Sequence, residues 1–329
     1  MAIKELIMEK KYILNRLLTA LLVVIVSVFI NFFVIRLAPG DPITILAGTE
    51  NPNPEMIAAL KSQYGLDQPI LKQFLLFLGN LLKGDLGFSY VSNLPVIEII
   101  GQRVFPTLIL SMVSLIISII LGIYLGLKCG SNKGSLLDKI FTPLTYVFDS
   151  MPSFWLGMMM ILIFASLLGW LPTSGMYNLR MRADGFDKFI DLCKHLILPV
   201  STLVLITFPY FFRITRTSVI QTMNEDFIDT FIATGMNRKK IFRRYVLKNS
   251  MLPTVTAIGM SFAFVLSGST LIETVFSWPG MGRLLLTSIQ GRDYQVLTGI
   301  YLIVSISVAL MMLLMDIVYM IIDPRISYE

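Results

Sequence analysis

Leu17-Leu18-Thr19-Ala20-Leu21-Leu22-Val23-Val24-Ile25-Val26-Ser27-Val28-Phe29-Ile30-Asn31-Phe32-Phe33-Val34-Ile35 carries no charge across its length. A helix of about 19 such residues spans roughly 30 Å of hydrocarbon. A secretory h-region is shorter, about 7–15 residues, and ends in small residues. Here the run leads into Arg36-Leu37-Ala38-Pro39-Gly40-Asp41-Pro42. It therefore reads as a retained transmembrane helix, with residues 1–12 as a cytoplasmic N-terminal segment and Lys10, Lys11 and Arg16 on the cytoplasmic side.

Five similar runs follow. The spans are read at 13–35, 104–127, 140–168, 196–213, 254–276 and 295–322. Each is expected to be helical, because an open sheet leaves backbone groups unsatisfied in lipid and a barrel strand needs only about half this length. The 329 residues are 55% apolar and 15% charged, with mean hydropathy +0.75. Soluble domains carry roughly 25% charged residues. The fold class is thus an all-α polytopic membrane protein of about six transmembrane helices. Residues 13–329 form one transmembrane domain.

Orientation follows from the basic residues. With both termini cytoplasmic, 16 of the 27 Lys and Arg residues fall on the inside, among them Lys128, Lys133, Lys139, Arg213, Arg216, Arg238, Lys239, Lys240, Arg243, Arg244 and Lys248. The outside segments balance basic against acidic residues. The net charge of +6 therefore reports topology and contact with membrane lipid, and gives no indication of nucleic-acid binding.

The long outer loop 36–103 exceeds a simple turn. Asn53-Pro54-Glu55 offers a cap, a first-turn proline and an early acid, so a short helix is expected there, stopped at Gly65. A second, amphipathic stretch covers Ile70 to Leu82, with Leu71, Phe74, Leu75 and Leu78 read as its apolar face. It is either a cap over the outer mouth or a contact surface for an external partner. The outer segment Gly169–Lys194 reads as a loop with little regular structure, in which Trp170 and Tyr177 serve as interfacial anchors.

The cytoplasmic stretch Asn224-Glu225-Asp226-Phe227-Ile228-Asp229-Thr230-Phe231-Ile232-Ala233-Thr234-Gly235-Met236-Asn237-Arg238-Lys239-Lys240-Ile241-Phe242-Arg243-Arg244-Tyr245 has a different character. Acids open a first helix, where they suit its dipole. Gly235 ends it. Asn237 caps a second helix with a strongly basic face. A rigid charged knob of this kind suits protein docking; the alternative is a basic segment that touches anionic lipid.

This stretch resembles the cytoplasmic coupling loop, the EAA loop, of ABC-transporter permeases. In that pattern an acid and two small residues stand six, five and four positions before a glycine. Asp229, Thr230 and Gly235 fit, and Phe231 departs. Tyr245, Leu247 and Lys248 stand where the general pattern has Ile-x-Leu-Pro, and Leu252-Pro253 follows later. That spacing resembles the oligopeptide, dipeptide and nickel branch. So do Arg36 to Pro42, Tyr64-Gly65-Leu66-Asp67-Gln68-Pro69, Gly84-Asp85-Leu86-Gly87, Met151-Pro152-Ser153-Phe154-Trp155-Leu156-Gly157, Phe276 to Arg283, Arg292-Asp293-Tyr294, and Asp316 with Asp323-Pro324-Arg325. The long outer loop resembles the first of that branch's two paired permeases.

The resemblance implies a type I importer permease in the cell membrane that forms half of a translocation pathway. Its implied partners are a paralogous second permease, two cytoplasmic ATPases and an extracytoplasmic solute-binding protein. The coupling loop would cover 216–252, with Asp226, Asp229, Thr230, Gly235, Asn237 and Arg238 at the ATPase contact. The chain has no Gly-x-x-x-x-Gly-Lys-Ser/Thr run, so no ATP hydrolysis of its own is expected. ATP and Mg would be bound by the partner subunits. The substrate is read as a di- or oligopeptide, or alternatively nickel or a metal–chelator complex.

Polar residues inside spans are the candidates for the pathway. Asp149, Ser267, Ser269 and Glu273 are chosen, with pairing to a neighbouring helix or close packing as their alternatives. Asp316 is read as structural, near Arg325. Ser111, Ser114 and Ser118 share a face that suits helix packing. No metal site is expected: His195 is the only histidine, and residues spaced like Cys193 and His195 do not share a helix face. Cys129 and Cys193 lie on opposite sides of the membrane and suggest no bridge. A secondary transporter or channel would also fit six helices but would need no docking loop. No catalytic residues are expected, since HExxH and Gly-x-Ser-x-Gly are absent.

Overall fold

A computed structural model describes residues 2–37, 54–63, 65–178 and 184–322. Asn53, Ala38 to Pro42, Tyr64, Asp323-Pro324-Arg325 and the side chain of Asp316 lie outside the described residues. Among the described residues there is no strand, only one antiparallel bridge between Phe88 and Pro95.

Among the described residues four helices are long and apolar enough to cross a membrane, and the spans number six, as the sequence predicts, when each of two bent helix pairs is taken as one. The four are α1 (Ala2–Leu37), α4 (Val96–Ser131), α7 (Phe186–Met223) and α14 (Tyr294–Ile322). The outer segment supplies α2 (Pro54–Gln63), which the left-handed Gly65 follows, and α3 (Ile70–Leu81). Both lie where the sequence predicts helices.

Two predicted spans are broken. The run 140–168 divides into α5 (Leu136–Ser150) and α6 (Ser153–Met160), which continues as a π-helix over Ile161–Leu167. The two halves meet at 102°. Pro152 forces this: its ring excludes the preceding residue from helical backbone, and Met151 is extended at φ −81, ψ 132. The run 254–276 divides as well. Helix α11 (Leu252–Ala263) passes through a 3-10 turn, Val265–Ser267, to Gly268 at φ +68, and a short α12 (Thr270–Val275) follows. Glycine alone adopts that backbone without strain.

The fourth span is longer than read. Helix α7 has 38 residues, about 57 Å of rise, so it outreaches the hydrocarbon. It starts at Phe186, inside the segment read as an irregular loop. Of the two predicted anchors in that segment, Trp170 is exposed, whereas Tyr177 is half-buried under Lys188.

The chain forms two compact units. In the first (Met1–Thr107, Leu266–Thr270, Pro279–Glu329), α1 packs along α14, and Val28, Phe32, Phe77, Val96, Ile100 and Ile300 share a core. Helix α13 (Met281–Gln290) is anchored by the Met281 N–H donated to Thr107 Oγ1 at 2.7 Å. Asp293 fastens the 88–95 turn: it accepts from the Ser89 hydroxyl and from the Tyr90 N–H. Helix α3 turns Phe74, Phe77 and Leu78 to this core. Leu71 and Leu75, read as the same face, are instead 63% and 62% exposed. The apolar arc of α3 is wider than the strip the core covers, so amphipathicity alone misassigns these two positions.

In the second unit (Leu108–Val265, Leu271–Trp278), α7 is the central element, packed by α5, α6 and α11. A stripe of small residues on α4, Ser114, Ser118, Gly122, Gly126 and Gly130, recurs every four positions. Ser114 and Ser118 are buried, their hydroxyls turned back to their own helix carbonyls. At the glycines α4 meets α7 backbone to backbone. A Cβ on Gly126 would stand 2.8 Å from Thr215 Cβ and 2.9 Å from the Phe212 carbonyl oxygen. Small residues at this spacing allow helices in membranes to approach this closely.

Candidate functional site: the cytoplasmic helical hairpin

Helix α7 ends at Met223, and two short helical elements follow. The first is α8 (Asp226–Ala233), with Asp226 and Asp229 in its opening turn. Its end is a Schellman motif. Gly235 is left-handed at φ +80, its N–H donates to the Ile232 carbonyl at 2.9 Å, and the Met236 N–H donates to the Phe231 carbonyl at 3.1 Å. Asn237 Oδ1 then accepts the Lys239 N–H at 2.9 Å and caps α9 (Arg238–Ile241). The helix continues as a π-turn, Phe242–Val246, and as α10 (Leu247–Ser250), before a 42° bend into α11. The Gly235 stop and the Asn237 cap are the two turn signals the sequence offers.

The hairpin has its own core. Ile228, Ile241 and Val246 are buried against Val219 of α7, with Phe227, Phe231 and Met236 around them. Phe231, which departs from the small residue of the coupling-loop pattern, lies 4.1 Å from the ring of Tyr245, centroid to centroid. Tyr245 departs from the same pattern. The two large rings occupy each other's space, which the sequence alone did not reveal.

Asp226, Asp229, Thr230, Gly235, Asn237 and Arg238 are all exposed, as are Lys239, Lys240, Arg243 and Arg244. The hairpin therefore buries its apolar side on α7 and turns acids at one helix start and bases at the next to solvent.

Two ion pairs tie α5 to α7 beside this hairpin. Asp138 is buried at the start of α5, where Ser135 caps the helix. It accepts two hydrogen bonds from Arg216, at 2.6 Å from Nε and 2.9 Å from Nη2. The Gly134 N–H and the Thr142 hydroxyl complete its shell at 2.9 Å each. A bidentate pair with every carboxylate oxygen occupied is the strong kind. Sequence reading missed it, because the two residues are far apart in the chain and Asp138 reads as an ordinary loop acid.

The second pair bears on the pathway candidates. Asp149 Oδ2 stands 3.0 Å from Arg213 Nη1, an ion pair off the hydrogen-bond axis. Pairing with a neighbouring helix is thus what the structure gives Asp149. Its side chain stays 45% exposed. Glu273 is fully buried in α12, and its carbonyl accepts the Trp278 N–H. Ser267 and Ser269 flank Gly268 and are half-buried; they belong to the first compact unit, whereas Asp149 and Glu273 belong to the second. His195 is buried with Nδ1 2.8 Å from the Asp191 carbonyl, and Cys193 is exposed on another side of α7.

Residues 118–328 match the family described as binding-protein-dependent transport system inner membrane component, and residues 9–113 match its N-terminal membrane component. The chain belongs to this permease family. The permease is 35% identical over 336 residues to the dipeptide transport system permease protein DppB of Escherichia coli K12, covering 97% of this chain and 99% of that protein. It is 36% identical over 318 residues to the glutathione transport system permease protein GsiC of Salmonella typhimurium LT2, with the same coverage. These likenesses identify an ABC importer permease of the peptide family. In fold, the permease resembles a chain of the inward-facing MetNI methionine ABC transporter, with a TM-score of 0.52 at 16% identity, over 69% of this chain and 97% of that one.

Proposed function

We propose that this ABC importer permease subunit forms half of a pathway for peptides and receives its motion from cytoplasmic ATPases through the α8–α10 hairpin. The observation that carries this reading is the hairpin itself: an apolar core seated on α7 and a charged outer face that no described element covers. The proposed ATPase contact is Asp226, Asp229, Thr230, Gly235, Asn237 and Arg238.

The mechanical argument follows from the connections. A push on α8 is delivered to α7 through Val219 and the buried isoleucines. Helix α7 is continuous over its 38 residues, so displacement at its cytoplasmic end is carried along its length. The Arg216–Asp138 pair hands the motion to α5, and the glycine stripe hands it to α4. Packed elements shift between discrete arrangements and do not deform continuously. ATP and Mg, bound by the partner ATPases, would close the ATPase pair, draw the hairpins together and turn the pathway outward. A second permease would supply the other half of that pathway, and a solute-binding protein would deliver substrate.

Peptide is preferred to nickel or a metal–chelator complex because the relatives carry dipeptide and glutathione in their names. Asp149, half-exposed while paired, is the pathway candidate that a charged substrate group can reach. The test is purification in mild detergent followed by reconstitution and uptake. Recovery of an ATPase and a second permease, with ATP-dependent uptake of a labelled dipeptide, is expected. Uptake of nickel but of no peptide would overturn the substrate, and uptake by this chain alone without an ATPase would overturn the coupling.

A further inference from the structure

Arg36 occupies the last turn of α1, at the end of its membrane-crossing stretch. Its guanidinium is fixed from two sides. Nε donates to Gln73 Oε1 at 3.2 Å, and Cζ sits 3.6 Å above the centre of the Phe32 ring. Gln73 is itself oriented, because its amide nitrogen donates to the Gln68 carbonyl at 2.9 Å. Nη1 of Arg36 is buried with no hydrogen-bond acceptor. Among the described residues no carboxylate comes within ion-pair distance of it. A rigidly held, partly desolvated cation with no described carboxylate at ion-pair distance is stabilised when an anion completes it.

Arg36 lines a cavity of about 290 Å³ together with Gln73, Leu76, Asn80 and Asp85. That is room for roughly ten waters, and hence for a small polar headgroup. Among the described residues of the wall Asp85 is the other charged one, with Oδ1 accepting the Gly87 N–H at 2.8 Å. Its charge disfavours a bare anion and favours a ligand that also carries a cation. The setting is apolar. Phe74 of α3 touches Phe29 and Phe32 at 5.5 and 5.1 Å between ring centroids. Phe29 stands seven residues before Arg36, about 10 Å deeper along α1. Helix α3 therefore reaches below the level of Arg36, while Leu76, on the cavity wall, remains 55% exposed. Apolar residues held at that depth face acyl chains.

We propose that this cavity binds the headgroup of a zwitterionic phospholipid, with the phosphate on the Arg36 guanidinium, the ammonium toward Asp85 and the acyl chains leaving past Leu76. The assignment rests on α1 as a membrane helix and is independent of the transported substrate. A bound lipid would fasten α3 to the end of α1.

The experiment uses the full chain in mild detergent, with phosphatidylethanolamine, phosphatidylglycerol and inorganic phosphate as separate probes, read by native mass spectrometry and thermal melting. Retained phosphatidylethanolamine is expected in the unaltered protein and should fall about tenfold in Arg36→Gln, the loss of one charge-assisted hydrogen bond. Asp85→Asn should raise phosphatidylglycerol retention relative to phosphatidylethanolamine. Equal phosphatidylethanolamine retention by Arg36→Gln overturns the proposal. Full protection by inorganic phosphate alone overturns the lipid as ligand in favour of a free-anion site. If Arg36→Gln is not recovered folded, Leu76→Gln, at an exposed position on the cavity wall, serves instead: reduced phosphatidylethanolamine retention supports the assignment, and unchanged retention rejects it.

Discussion

Replacing Gly126 by alanine tests the contact through which α4 follows α7. The new Cβ would lie 2.8 Å from Thr215 Cβ, 2.9 Å from the Phe212 carbonyl oxygen and 3.2 Å from the Arg216 backbone nitrogen, where ordinary contacts begin at 3.4 Å. Two of those three neighbours are backbone, so no rotamer change relieves the overlap. The helices must part by roughly 0.6–1 Å, and overpacking of this kind costs about 1–3 kcal/mol. Alanine recovers about 0.8–1 kcal/mol of that through helix propensity. The net loss is on the order of 1 kcal/mol, a fall of about 1–2 °C in Tm for a chain of this length. ATP-driven transport should fall further than stability does, because the displaced residues adjoin the Arg216–Asp138 pair. Gly101→Ala is the control: it lies on the same helix, exposed, with nothing within 4 Å of the added Cβ. It should melt at or above the unaltered protein. The close-contact argument fails if Gly126→Ala and Gly101→Ala melt together and transport equally.

Arg216→Met should destabilise by about 3 kcal/mol, since it strands the buried Asp138 carboxylate; the Arg216→Met, Asp138→Asn double variant should regain part of this, and additive losses in a melting double-mutant cycle would deny the pair its role. Gly235→Ala meets open space but must hold φ +80, a strain of about 1 kcal/mol. Hydrogen exchange over 226–250 should quicken in that variant and stay near the original rate in Gly235→Asn, and equal rates in both would remove the left-handed stop from the account.

Much of this architecture is legible in the sequence because membranes reward simple patterns. Uncharged runs of helix length marked α1, α4 and α14, and Gly235 with Asn237 marked the hairpin. What failed did so for physical reasons. A hydropathy window merges α5 with α6, although Pro152 between them carried the signal for a break. The same window carried the fifth span through Gly268, whose left-handed backbone belongs to no helix. Leu71 and Leu75 were grouped with Phe74 and Leu78 on one apolar face, because periodicity finds the apolar side of α3 but not which part of it the core takes. The Asp138–Arg216 pair and the Phe231–Tyr245 stack join residues distant in the chain, and one sequence holds no local signal for either.

The central claim is that the exposed face of α8–α10 is where ATPase motion enters. A photo-crosslinking residue at Thr230, exposed on α8, and another at Lys83, exposed in the outer segment, can be compared in the assembled transporter. The account predicts an adduct with an ATPase subunit at position 230 and none at 83. An intact complex that gives no ATPase adduct at 230, or gives one at 83, would contradict it.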